Sequence, residues 1–210
     1  MTLLVTLITA AAAQPVSVAE CKSDLRIDAG VTIEDDLISD YIDAAARYCS
    51  EVTGRKLISE TWKYGIGNEP GKFVATPFKP VFNSFQPIEL PFTPVSAIVE
   101  VQYFDADNVS QVLNLADFYL YNYDQSSVLA PVLNYQWPPF YERRDALNIT
   151  FTTGYGATGA DVPSNIKRAI RLLVAHWYEQ RMAVTVGQSA MPIPFGVDAM
   201  LNVDRTGWVA

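Results

Sequence analysis

At 210 residues, half of them hydrophobic and 18% charged, the chain has a globular composition and enough length to bury a core without disulfide or metal staples. Its formal net charge of −8, from 15 basic and 23 acidic residues with no dense Lys/Arg cluster, argues against a nucleic-acid footprint that must neutralise phosphates. Thirteen prolines, eleven tyrosines and ten phenylalanines argue against a simple helical bundle and for a substantial β portion.

Met1 to Ala13 is apolar and runs into Gln14-Pro15. A secretory signal has a basic leading segment, whereas no Lys or Arg precedes Lys22 here. The stretch is also shorter than the ~20 apolar residues that cross a bilayer. Residues 1–16 are therefore expected to form an extended arm, and no later segment has transmembrane character.

Ser17-Val18-Ala19-Glu20 fits a capping box, in which Ser and the Glu three residues on satisfy orphan backbone N–H groups at a helix start. A short helix to about Arg26 and a break at Gly30 are expected. Thr32-Ile33-Glu34-Asp35 opens a second helix whose acidic first turn complements the helix dipole. Its apolar positions Leu37, Ile38, Tyr41, Ile42, Ala45, Tyr48, Cys49 and Val52 recur at spacings of three and four, and Gly54 stands where a C-terminal glycine belongs. Residues 17–56 thus read as the N-terminal helices of a helical lobe.

Residues 57–156 read as a β-rich insert. Leu57–Tyr64 has strand character, and residues 65–94 are mostly loop around a short extended piece at Ile88-Glu89-Leu90. Val95–Phe104 and Val109–Leu113 flank the turn residues Asp105-Ala106-Asp107-Asn108, which predicts a hairpin. Phe118–Tyr121 and Val128–Leu133 form another pair, and Leu147–Thr152 alternates at period two up to Gly154-Tyr155-Gly156. Pro163 suits a first helical position. The stripe Ile166, Ile170, Leu173 and Trp177 predicts a long helix over Ile166–Val184, within residues 162–186. Residues 187–210 read as an extended tail with one short helical piece near Val197–Val203. The expected fold class is α+β: N-terminal helices packed on a long C-terminal helix, an antiparallel β insert between them, and the extended tail.

Candidate chemistry is sparse. His176, the single histidine, lies within an amphipathic helical pattern, and no Gly-x-Ser-x-Gly elbow accompanies it. Gly154-Tyr155-Gly156-Ala157-Thr158-Gly159 lacks the Lys of a phosphate-binding loop. Asp35-Asp36 is explained by helix capping and Asp105/Asp107 by a turn. Two distant cysteines, Cys21 and Cys49, with one histidine make no zinc pattern. The aromatic segments Tyr119–Tyr123 and Trp137–Tyr141 suit core or subunit-interface packing better than a sugar platform. No enzyme activity, metal or cofactor is expected.

Several stretches, in order, resemble a known family. Pro15-Val16-Ser17 leading to Lys22–Asp28, Asp35-Asp36-Leu37-Ile38 followed by Tyr41–Ala45, and Thr53–Ile58 are similar to the opening of head–tail connector (adaptor) proteins of long-tailed bacteriophages and gene transfer agents. Leu90–Val95, Ile149–Gly156, Val162-Pro163, Val174–Arg181 and Gly196–Leu201 resemble the rest, while residues 65–87 match no part of that pattern.

The resemblance implies a structural virion protein at the head–tail junction, present in the host cytoplasm during assembly. It implies a ring, usually of twelve copies, docked beneath the portal protein and holding the next head-completion or tail protein. DNA passes through without specific binding, and no membrane is involved. The tail residues Met191, Pro192, Ile193, Pro194, Phe195, Leu201 and Trp208 are the candidate portal contacts. Two alternatives stay open: a tail-completion or terminator ring, and a secreted β-rich binding module should the first 13 residues be cleaved.

Overall fold

The computed structural model describes residues 4–67, 87–180 and 195–206. The chain divides into two compact units, one of residues 1–10 and 59–154, the other of residues 11–58 and 155–210.

The first unit is all β. Its strands are β1 (Leu4–Thr9), β2 (Glu60–Ile66), β3 (Ile88–Leu90), β4 (Val95–Phe104), β5 (Ser110–Val112), β6 (Phe118–Asn122), β7 (Ser127–Pro131) and β8 (Leu147–Thr153). They make a five-stranded sheet ordered β1-β2-β8-β4-β5 and a three-stranded sheet ordered β3-β7-β6, antiparallel at every pairing. β8 is central because its alternate residues Leu147, Ile149, Phe151 and Thr153 are all buried. Leu147, Ile149 and Phe151 meet Val101 of β4 and, from the smaller sheet, Ile88, Leu90, Phe118 and Leu129, so the two sheets share one core.

Polar groups fix how the hairpins meet. Asp105 Oδ1 accepts the N–H groups of Asp107 and Val109 at 3.1 and 2.9 Å, and Asn108 takes the left-handed turn position at φ 61°. Asn122 Nδ2 donates to Val95 O at 2.7 Å while its Oδ1 accepts from Ser127 Oγ at 2.7 Å, tying the start of β4 to the β6–β7 hairpin. Buried Ser127 also accepts the Val95 N–H at 3.2 Å.

The second unit is helical: α1 (Val18–Leu25), α2 (Asp35–Thr53), α3 (Ser164–Glu179) and α4 (Phe195–Val203). α1 starts at a complete capping box, with Glu20 N–H donating to Ser17 Oγ at 3.2 Å and Ser17 N–H to Glu20 Oε2 at 2.8 Å. α2 buries Ile38, Ile42, Ala45 and Cys49 along one face against Ile166, Ile170, Leu173 and Val174 of α3. Gly54, at φ 71°, ends α2 in the left-handed region.

Three features correct the expected fold class. α3 spans 16 residues, not the run to Val184: Gln180, at φ −110° and ψ 61°, has left helical geometry. The 19-residue α2 is longer, so no long C-terminal helix dominates the unit. The strands form two sheets where one antiparallel insert was expected, because β3, β6 and β7 pair among themselves and cover the larger sheet's apolar face. The short helix expected near Val197–Val203 is present as the nine-residue α4, but its described part is packed instead of extended: Val197 and Leu201, four apart, are fully buried among the other helices.

Candidate assembly surfaces

The predicted tail residues separate in the structure. Leu201 lies in the helical core, and Phe195 begins α4. Met191, Pro192, Ile193, Pro194 and Trp208 lie outside the described residues. Around Leu201 the C-terminal segment is latched by polar contacts. Arg55 Nε donates to Asp204 O at 2.6 Å, and Asn165 Nδ2 donates to the Asp204 carboxylate. The Thr206 N–H and hydroxyl donate to Thr53 O at 2.8 and 3.0 Å, occupying a carbonyl at the end of α2 that the helix itself leaves unpaired. A segment about 150 residues away in sequence thereby closes α2, a role no local motif announces.

α1 is locked to its neighbours by charge. Arg171 reaches Asp24 through Nε and Nη2, each at 2.6 Å, in a forked pair, and Arg168 adds a contact at 3.4 Å. Lys22, nearly buried, pairs with Asp35 in the first turn of α2. Glu20's carboxyl is held below its ordinary range, first by the Ser17 N–H and then by the Ser17 hydroxyl. These groups serve capping and packing.

No reactive constellation forms around the residues weighed for chemistry. His176 sits in α3 and accepts Gln180 N–H at its carbonyl, part of the helix end. A cleft of about 580 Å³ is bounded by Gln14 to Val18, Gly159, Ala160 and Lys167. Its Ser17 and Glu20 are committed to each other in the α1 cap. Cys21 and Cys49 are buried free thiols, pushed up to about 11 and about 12 by burial, so neither is a nucleophile at neutral pH. Among the described residues no group of His, Cys, Asp and Glu is placed to hold a metal ion, and no helix is long and apolar enough to cross a membrane.

What the β unit offers instead is surface. β1 exposes Leu4, Leu7 and Ile8 at 42, 44 and 55%, from both of its faces. β6 and the residue after it expose Tyr119, Tyr121 and Tyr123 at 55, 46 and 60%. These three rings form a ladder, with centroids 6.2 and 6.5 Å apart and the second pair stacked at 19°. Sequence analysis marked Tyr119–Tyr123 as an interface candidate; β1 it missed as a sheet member, because a charge-free apolar stretch has no period of its own there. In the second aromatic segment Trp137 packs on Phe118, Tyr135 and Phe140, while Tyr141 is exposed.

Residues 15–110 match the family model described as phage gp6-like head-tail connector protein, and the resemblance to head–tail connectors drawn from the motifs therefore holds. No curated protein sequence matches the chain. Among solved structures, the chain is similar to one from the neck of an empty GTA particle computed with C6 symmetry, at 24% identity and TM-score 0.75 over 99% of this chain and 97% of that one. A chain from the virion of a native gene transfer agent particle is 25% identical, at TM-score 0.72 over 99% of this chain and 97% of that one. A third, from the neck of a native GTA particle computed with C12 symmetry, is 24% identical at TM-score 0.68, over 100% of this chain and 98% of that one. Family and fold together support a structural connector protein, a class that is not enzymatic.

Proposed function

We propose that this chain is the repeating subunit of a ring in the neck of a virus-like particle, beneath the portal, with DNA passing through its channel. The observation that carries the proposal is the likeness over 99% of the chain to the neck chain at TM-score 0.75, joined to the connector-family match over residues 15–110. Twelve copies is the expected number, supported by the C12 symmetry of one matching neck.

The charge supports the channel role. A net charge of −8 repels phosphate, so DNA slides past instead of being gripped. The C-terminal segment is the proposed contact with the portal, and the opposite end of the ring receives the next head-completion or tail protein. Within that segment Leu201 seats α4 in its own subunit, and Met191 to Pro194, Phe195 at the start of α4, and Trp208 are the proposed contacts. Class averaging of native particles labelled on this chain tests the role. A rotationally symmetric collar at the head–tail junction is expected; label on the tail tube, or none on particles, overturns it. Deleting residues 187–210 is expected to abolish portal binding, and full affinity after deletion removes the tail assignment.

A further inference from the structure

We propose that the ring is closed by β-strand addition, the free edge of β1 in one copy pairing with the free edge of β6 in the next. This rests on the ring proposed above and names the surfaces that make it.

Four strands lie at sheet edges among the described residues: β1 and β5 in the larger sheet, β3 and β6 in the smaller. An edge strand presents a row of N–H and C=O groups ready to pair with another chain, and proteins usually block such edges with charge, proline, bulges or brevity. β3 and β5 have three residues each, and β3 carries Glu89. β1, Leu-Val-Thr-Leu-Ile-Thr, and β6, Phe-Tyr-Leu-Tyr-Asn, contain no charge and no proline and are six and five residues long. Among the described residues they are the two edges of five or more residues without charge or proline; β1 has one irregularity in its pairing with β2, at Leu7–Thr9, and is regular from Leu4 to Leu7.

The side chains match. β1 leaves Leu4, Leu7 and Ile8 exposed, on both of its faces, while Val5 is half-buried. β6 offers the exposed ladder of Tyr119, Tyr121 and Tyr123. Aromatic rings opposite β-branched or aliphatic residues are favourable cross-strand pairs. The occupant is a second copy because each subunit carries both halves, on different sheets of one unit. Two unlike, complementary edges make a heterologous contact, which closes into a ring when the rotation per copy allows. A contact of like with like, β1 on β1 or β6 on β6, would leave the other edge of each copy open, whereas β1 on β6 repeated around a ring uses both edges of every copy.

Cysteine trapping tests the pairing directly, since the buried Cys21 and Cys49 give little background. The full chain carrying Thr6→Cys together with Tyr119→Cys, Tyr121→Cys or Asn122→Cys is assembled into particles and oxidised mildly. At least one pair is expected to give a ladder of covalent multimers on non-reducing gels, and each single variant none beyond dimer. Independently, Tyr121→Asp, a change at an exposed site, is expected to leave the monomer's melting temperature unchanged and to cut ring yield at least tenfold, with Tyr121→Phe retaining it. Rings that form normally with Tyr121→Asp and without any ladder overturn the strand pairing and leave the connector role standing. Absence of any ring from wild-type particles overturns both.

Discussion

Gly54 and Thr206 illustrate how much single residues govern in the helical unit. Gly54 adopts φ 71°, and a Cβ there would run into the Thr206 side chain. Gly54→Ala is expected to cost about 1–2 kcal/mol from left-handed backbone alone, read by denaturant unfolding. Leu201→Ala, which empties a fully buried site under α4, is expected to cost about 2–5 kcal/mol in the same measurement. The two thiols make a third prediction. With burial pushing Cys21 to about 11 and Cys49 to about 12, the native protein should resist alkylation at neutral pH, and the unfolded chain should take up two labels. At this scale the sequence was informative wherever partners are near: the Ser17/Glu20 box and the Gly54 terminus follow from spacing alone. Thr206 pairs with Thr53, 153 positions away, and no local pattern can announce a partner so distant.

Elements show the same division. The face of α2 was legible because one stripe at spacings of three and four fixes it, and β8 because period two fixes it. The end of α3 was not, because Met182 to Val186 continues the apolar character on which the expected helix end relied. The second sheet was hidden too: whether β6 and β7 extend the larger sheet or cover it depends on pairings that alternation does not encode. α1 also carries a pH dependence. Glu20's folded carboxyl lies below its ordinary range, so its contribution is present above that range and is lost as pH falls through the folded value. Asp145, lowered chiefly by its hydrogen bonds from Arg143, works in the same sense. Melting temperature should therefore drop on acidification, and Glu20→Gln should flatten that drop while lowering stability at neutral pH by about 1 kcal/mol or less, the scale of a capping contact.

On the scale of the whole molecule, the two units are each discontinuous in sequence. The chain leaves the β unit after residue 10, returns at 59, and leaves again after 154. β2 and β4 flank β8 and pair with it, and α1 and α2 lie against α3. The family match over residues 15–110 ends before β6, so it covers neither unit completely and defines no piece expected to fold alone.

That interleaving has a consequence for how the protein is made. Until a ribosome has passed residue 147, neither unit possesses its closing partner, since the sheet lacks β8 and the bundle lacks α3. Each unit is therefore expected to close only once β8 and α3 have emerged, within a short stretch of chain. Stalled nascent chains should accordingly stay sensitive to protease up to the point where Thr153 clears the exit tunnel, and the uncharged first strand must be kept from its neighbours on the same polysome until then.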